Sequence, residues 1–292
     1  MRQFIDAWKY RITNVTKNAK IMPVLAIIEI GSHGMTAKIV QDCEELGIVA
    51  DIYNFPEYTT LTKITKKIKR IKADGIIVLA PHLCNLDIDE VYDSIQLRKD
   101  VGGLKNTGMF KNSMAQGLIK YLEEIGININ QKKIVIFGRA GRPVVESFAD
   151  LGCTVTVGGS HCNVREVAEG ADIVIGMPWY AQEIRDEDLP ENCLKINCGT
   201  RLMEHKDDLE AIGTLQRLQI IQNVCKAFMK YNPHEIITRS ENDYDRLRKD
   251  GEPIDDYMKK QYVAAMLELS LGEQIAEEYC EDYGIERFKW SS

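Results

Sequence analysis

Residues 133 to 157 read Lys133-Ile-Val-Ile-Phe-Gly-Arg-Ala-Gly-Arg-Pro-Val-Val-Glu-Ser-Phe-Ala-Asp-Leu-Gly-Cys-Thr-Val-Thr-Val157. The apolar run predicts a buried strand over Lys133 to Phe137. A glycine turn follows, then a helix over Pro143 to Leu151 and a second strand over Thr154 to Val157. A glycine turn between a buried strand and a helix is where backbone N–H groups and a helix N-terminus bind a phosphate. Gly138 and Gly141 would let the backbone approach a pyrophosphate, and Arg139 and Arg142 would bring charge. Glycines also occur in such turns for conformational reasons alone; the strand and helix on either side favour nucleotide binding.

The same alternation extends in both directions. Downstream, a helix over Asn163 to Glu169 and strands over Asp172 to Ile175 and Cys193 to Asn197 complete one α/β unit. Upstream, strands at Val24 to Ile30, Val49 to Phe55 and Gly75 to Ala80 alternate with helices near Arg2 to Asn18, Met35 to Leu46, Leu61 to Ile71 and Leu86 to Ile95. Gly47 stands where a helix C-cap belongs. The loop Lys99 to Thr107, with Gly102 and Gly103, predicts a bend or a close approach. A helix from Ser113 to Gly126 joins the halves. From about Leu202 the strand signal stops and the chain reads as helices, the last from about Ile254 to Tyr283. The fold class is therefore α/β: two αβ domains, the second of Rossmann type, plus an all-helical C-terminal extension. The boundaries fall at 1–112, 113–203 and 204–292.

The chain has 292 residues, 45% of them apolar and 28% charged, enough for two cored domains. A net charge of −7, with Lys and Arg dispersed among the acids, argues against nucleic acid and for a small-molecule ligand. The longest apolar run, Met22 to Ile30, is interrupted by Pro23 and Glu29 and is too short to span a bilayer. The start of the chain reads as an amphipathic helix rather than a signal peptide. Eight cysteines without a C-x-x-C pair point to reduced thiols and a cytoplasmic protein. Five scattered histidines give no metal-ligand spacing, so no metal is expected. Ser160-His161 and Ser32-His33 lack the surroundings of a nucleophile elbow.

The strand after the glycine turn runs into Val157-Gly-Gly-Ser-His-Cys-Asn163, where a dinucleotide fold reads the adenosine ribose. No carboxylate stands there. With Ser160 and His161 at the strand end and two arginines near, a 2′-phosphate would be tolerated, which favours NADP over NAD; His161 reads equally well as an ordinary exposed loop histidine.

The ordered segments Pro23-Val-Leu-Ala-Ile-Ile-Glu-Ile-Gly31, Cys43-Glu-Glu-Leu-Gly-Ile48, Ala73-Asp-Gly-Ile-Ile-Val-Leu-Ala-Pro81 and Lys99-Asp-Val-Gly-Gly-Leu104 resemble the methylenetetrahydrofolate dehydrogenase/cyclohydrolase family. Gly138-Arg-Ala-Gly-Arg-Pro143, Thr154-Val-Thr-Val157, Ala171-Asp-Ile-Val-Ile175 and Asn197-Cys-Gly-Thr200 match its nucleotide domain in order. The resemblance covers about residues 1 to 201, and Lys99-Asp-Val-x-Gly is its most specific element. It implies a homodimer with a folate-like substrate, and two αβ domains around a cleft in which hydride passes from methylenetetrahydrofolate to NAD(P). A cleft lysine then assists hydration of the methenyl product. Gly199 and Thr200 join the cofactor-binding residues on this ground, and Ser32, Met35, Leu79 and Pro81 line the substrate position.

This chain departs from the pattern where protons are handled. The family's serine falls on Ser32, but its tyrosine falls on Met35 and its lysine on Ile39, with Lys38 one residue away, ~100° round a helix. Lys38 serves only in a shifted register and is otherwise a solvated helix residue. The family's glutamine is Leu79, the second aspartate of its Lys-Asp-Val-Asp-Gly motif is Gly102, its Pro-Cys-Thr-Pro segment is Asn112-Ser-Met-Ala115, and its proline- and glycine-rich C-terminal segment is absent. Hydride transfer needs no protein acid or base, so dehydrogenase with weak or lost cyclohydrolase is the coherent outcome. Lys38, His82 and Asp100 are the candidate catalytic residues: His82 as a replacement polar group, Asp100 to orient a pterin amino group or to cap its loop. The rival readings are a non-catalytic or regulatory relative, and a dehydrogenase moved to another substrate. The helical extension is a cap or oligomer contact, or closes over the cleft.

Overall fold

The computed structural model describes residues 1–17, 19–31, 34–80, 86–105, 109–138, 141–177, 182–199 and 207–232, with 261, 264, 276, 277, 280–282 and 284–286 beyond them. The chain forms two compact units, one of residues 2–101 and 220–292, the other of residues 102–219 with Met1.

The first unit carries α1 (Arg2–Lys17), β1 (Val24–Ile30), α2 (Met35–Leu46), β2 (Val49–Phe55), α3 (Leu61–Ile68), β3 (Gly75–Leu79) and α4 (Ile88–Asp93). Its strands are parallel in the order β2-β1-β3. Leu25 to Ile28 and Ile30 are fully buried, the pattern of a central parallel strand covered on both faces. α2 buries Ile39, Cys43 and Leu46. Thr16 Oγ1 of α1 donates to Leu46 O at 2.7 Å. Gly47 ends α2 in the left-handed conformation, φ 74°, its N–H turned to the carbonyls of Cys43 and Glu44. The helix expected over Leu86 to Ile95 is shorter, because Asp87 caps it: Oδ1 accepts from Asp89 N and Glu90 N at 3.1 and 3.3 Å.

The second unit carries α5 (Ser113–Glu124), β4 (Lys133–Phe137), α6 (Gly141–Ala149), β5 (Thr154–Gly158), α7 (Val164–Ala168), β6 (Ile173–Gly176) and β7 (Leu194–Asn197). Its parallel sheet runs β5-β4-β6-β7. The two-residue period of β4 divides its core: Ile134 and Ile136 pack with Leu118, Leu122 and Phe148 on one face. Val135 and Phe137 pack with Val164, Ala168, Ile184 and Leu189 on the other. α6 starts at Gly141, two residues before the expected Pro143, so the glycine itself opens the helix.

α8 (Asp207–Tyr231) begins in the second unit and ends in the first. Its last turns are buried nearly all round, with Ile221, Val224, Cys225, Phe228 and Met229 at 0% exposure, so they form core of the first unit. The helical C-terminal segment thus begins with a helix that contributes core to the first unit. Asn223 Nδ2 donates to Val101 O at 2.8 Å within that core. The expected Ile254–Tyr283 helix lies mostly outside the described residues. The glycine-rich loop is a tight bend: Gly103 has φ +61°, and a Cβ there would stand 2.2 Å from Lys111 O. Among the described residues no helix is long and apolar enough to cross a membrane, and no group of ligating side chains could hold a metal. The described cysteines are free thiols.

Candidate active site

In open parallel sheets, ligands bind outside the carboxyl ends of the strands where the strand order reverses. In the first unit that point lies between β1 and β3. Parallel register sets Glu29 beside Asn54 on one side and Leu79 on the other. Gly31 follows with φ +73°, donating its N–H to Phe55 O at 2.7 Å; a Cβ on it would meet Glu57 Oε1 at 2.7 Å. α2 begins over this edge. Its first turn holds half-buried Met35 and buried Thr36, whose hydroxyl donates to Glu29 Oε1 at 2.7 Å.

Of the residues singled out by sequence, Met35 and Leu79 come to this edge, the first through α2 and the second through β3. On α2, Lys38 is exposed while Ile39 is completely buried. Asp100 is 2% exposed and lies elsewhere on the sheet: it bridges in parallel to Ile76, three residues before Leu79, a separation of roughly 10 Å along a strand. Its backbone closes the one-turn helix at Leu97–Lys99. Ser32, Pro81 and His82 lie outside the described residues. Glu29, which sequence reading did not single out, also stands at this edge; it is a single carboxylate inside an otherwise apolar strand, two residues before Gly31.

The opposite edge of this sheet has a concavity of about 310 Å³ lined by Val24, Lys72, Asp74, Arg98, Lys99 and Tyr231, among others. Its polar groups make structural bonds. Asp74 accepts from Val24 N at 2.8 Å and from Asn232 Nδ2 at 3.1 Å, Lys99 donates to Ile71 O at 3.0 Å, and the Arg98 guanidinium lies over the Tyr231 ring. Burial pushes the Asp74 carboxyl up and the Lys99 ammonium down from their ordinary values. The lysine of Lys99-Asp-Val thus ties its own turn to the segment between α3 and β3.

In the second unit the corresponding point lies between β4 and β6. Gly138 leaves β4 with φ +106°, its N–H donating to Gly158 O at 3.2 Å, and α6 opens at Gly141. This strand, glycine turn and helix N-terminus fit a dinucleotide's phosphates. Arg142 stands in the first turn of α6, while Arg139 and Thr200 lie outside the described residues. Ser160 and His161 are exposed beyond β5 with no acidic residue at the strand end. Gly199, φ +115°, follows β7 and donates its N–H to Asn197 Oδ1 at 2.8 Å. Gly138 and Gly199 stand at strand ends and Gly141 at the start of α6; Ser160 and His161 occupy the loop after β5.

Comparison with known proteins identifies the family of both αβ regions. Residues 2–102 match the catalytic domain of the tetrahydrofolate dehydrogenase/cyclohydrolase family, and residues 112–231 match its NAD(P)-binding domain. The bifunctional protein FolD of Acinetobacter baumannii is 26% identical over 227 residues, covering 70% of this chain and 79% of that protein. The FolD of Caldanaerobacter subterraneus subsp. tengcongensis is 28% identical over 228 residues, 65% and 80% of the two chains. Among solved structures, the Trypanosoma brucei methylenetetrahydrofolate dehydrogenase-cyclohydrolase, complexed with NADP and an inhibitor, shares the fold with a TM-score of 0.64 at 18% identity, over 79% of this chain and 96% of that one. The silkworm 5,10-methylenetetrahydrofolate dehydrogenase gives 0.64 at 18% identity over 79% and 95%. The chain therefore belongs to the tetrahydrofolate dehydrogenase/cyclohydrolase family, as a methylenetetrahydrofolate dehydrogenase-like NAD(P)-dependent oxidoreductase.

Proposed function

We propose that the protein oxidises 5,10-methylenetetrahydrofolate with NADP, and that its cyclohydrolase activity is weak or lost. The observation that carries this reading is Ile39. The position matching the family's lysine is buried in the core of the first unit, and the neighbouring Lys38 is exposed. Hydride transfer depends on holding two ligands in register rather than on a protein acid or base, so it survives the loss of that lysine. NADP, when bound, supplies the hydride acceptor. Gly138, Gly141 and the α6 N-terminus would hold its pyrophosphate with Arg139 and Arg142, and Ser160 and His161 would flank the ribose phosphate. Gly199 and Thr200 complete the set.

In this reading residues 1–112 provide the substrate side and 113–203 the cofactor side, with 204–292 as the helical remainder. Ser32, Met35, Leu79 and Pro81 line the folate, and His82 and Asp100 are tested as polar contributors by substitution. The protein works in the cytoplasm as a homodimer without nucleic-acid or membrane partners.

The test uses the purified full chain with methylenetetrahydrofolate and either nucleotide, following NAD(P)H absorbance, alongside hydrolysis of the methenyl derivative. Reduction of NADP in preference to NAD, with hydrolysis near the uncatalysed rate, is expected. Absence of any nucleotide reduction would sink the proposal and favour a non-catalytic relative.

A further inference from the structure

We propose that Glu29 binds the substrate directly, its carboxylate accepting the paired N–H donors of a 2-amino-4-oxopteridine ring. This rests on the folate reading above and names a residue for it that lies outside the family's pattern. Glu29 is next to last in the central strand, at the carboxyl edge beside the point where strand order reverses, the place where such sheets receive ligands. Register pairs it with Leu79, and residues aligned in neighbouring strands project from the same face. Leu79 occupies the position of the family's glutamine. The edge that has lost an amide there, and a tyrosine at Met35, has a carboxylate one strand over.

The chemistry of that carboxylate suits the ring. Ile28 and Ile30 on either side are fully buried, whereas Glu29 remains half-exposed at the strand end, so its charge is neither sealed in the core nor left wholly to water. The Thr36 hydroxyl, 8% exposed in the first turn of α2, donates to Oε1 at 2.7 Å and fixes the side chain toward the edge. An ionised carboxylate only accepts. A 2-amino-4-oxopteridine presents its N3–H and one amino hydrogen side by side, two parallel donors that a carboxylate can receive together. Met35 and Leu79 offer apolar surface for the faces of the same ring.

The test is calorimetric titration of the full chain with tetrahydrofolate, with its 2-desamino analogue and with NADP, for wild type, Glu29→Gln and Glu29→Asp. Losing a charge-assisted acceptor weakens binding by roughly ten- to a hundredfold. We expect that loss for tetrahydrofolate in Glu29→Gln, with the preference for tetrahydrofolate over the analogue erased and NADP affinity unchanged. KM for the folate should rise with kcat held, the mark of binding equal in ground and transition states. Glu29→Asp keeps the charge but withdraws it by one methylene, so it should lose the same preference even if the glutamine variant folds poorly. If wild type binds tetrahydrofolate and both variants keep its affinity and its preference, Glu29 is not a ligand and this inference falls alone. If wild type fails to bind tetrahydrofolate, the folate reading falls and takes the inference with it.

Discussion

Restoring the family's lysine by Ile39→Lys should cost most of the protein's stability and return no cyclohydrolase. Ile39 is 0% exposed on α2. Removing a buried isoleucine side chain forfeits about 1.5–3 kcal/mol of apolar burial. A lysine in its place, with a free pKa of ~10.4, must give up its proton to remain buried at pH 7, which costs about 4–5 kcal/mol more. The sum, about 5.5–8 kcal/mol, compares with a total of roughly 5–15 kcal/mol for a folded domain. The sign with pH follows. The buried amine has a depressed pKa, the unfolded chain therefore holds more protons between the two values, and the variant's deficit against wild type shrinks as pH rises toward ~10.

Urea denaturation at neutral and alkaline pH, beside the methenyl hydrolysis assay, measures both halves of this expectation. A variant that loses less than about 1 kcal/mol at pH 7, shows no relief at high pH and hydrolyses the methenyl compound would refute it. Such a result would mean that position 39 faces substrate.

Lys38→Ala, on the exposed side of the same helix, should change stability by less than about 0.5 kcal/mol and leave both activities as they are; a fall in either would assign proton handling to Lys38. Asn223→Ala removes the donor that meets the Val101 carbonyl in the core and should cost about 2 kcal/mol in urea titration, a loss below 0.5 kcal/mol counting against the bond. Gly103→Ala forces a side chain into a left-handed residue whose Cβ would lie 2.2 Å from Lys111 O, so a penalty of about 3 kcal/mol or a failure to fold is expected in thermal melts. Asp74 has its carboxyl pushed up by burial, so the folded state holds its proton longer than the unfolded one. Wild-type stability relative to Asp74→Asn should therefore be highest at acid pH and fall as pH rises through the raised value; a difference flat between pH 4 and 7 would contradict that.

Much of the architecture was legible because parallel strands buried on both faces write themselves as continuous apolar runs. β1, β4 and β6 stand within a residue of their expected places for that reason, and Gly47 marked its helix end through the left-handed conformation that glycine adopts more cheaply than other residues. Other boundaries are set by side chains that periodicity does not weigh, such as the Asp87 cap that delays α4. The end of the chain was harder to read. A helix apolar all round gives no clue to which unit it will enter, and α8 serves the core of both. Of the carboxyl edge between β1 and β3, Met35 and Leu79 were visible as substitutions in a known pattern. Glu29 was not, since only pairing β1 with β3 sets it beside Leu79 and only the fold of α2 brings Thr36 to it.

The exposure of Lys38 is a property of the whole helix rather than of one side chain. Ile39, Cys43 and Leu46 follow one another at helical spacing and are all buried, so together they fix the rotation of α2 about its axis. Bringing Lys38 to where Ile39 now points requires a turn of ~100°. That turn would carry the apolar row out of the core, at about 1.5–3 kcal/mol for each large side chain lost to water, more than a surface lysine could return through any single polar contact. It would also draw Thr36 away from Glu29 and remove the hydrogen bond that orients the carboxylate. The register that silences the lysine position is thus the same register that presents Glu29, and a change that moves one of them must disturb the other.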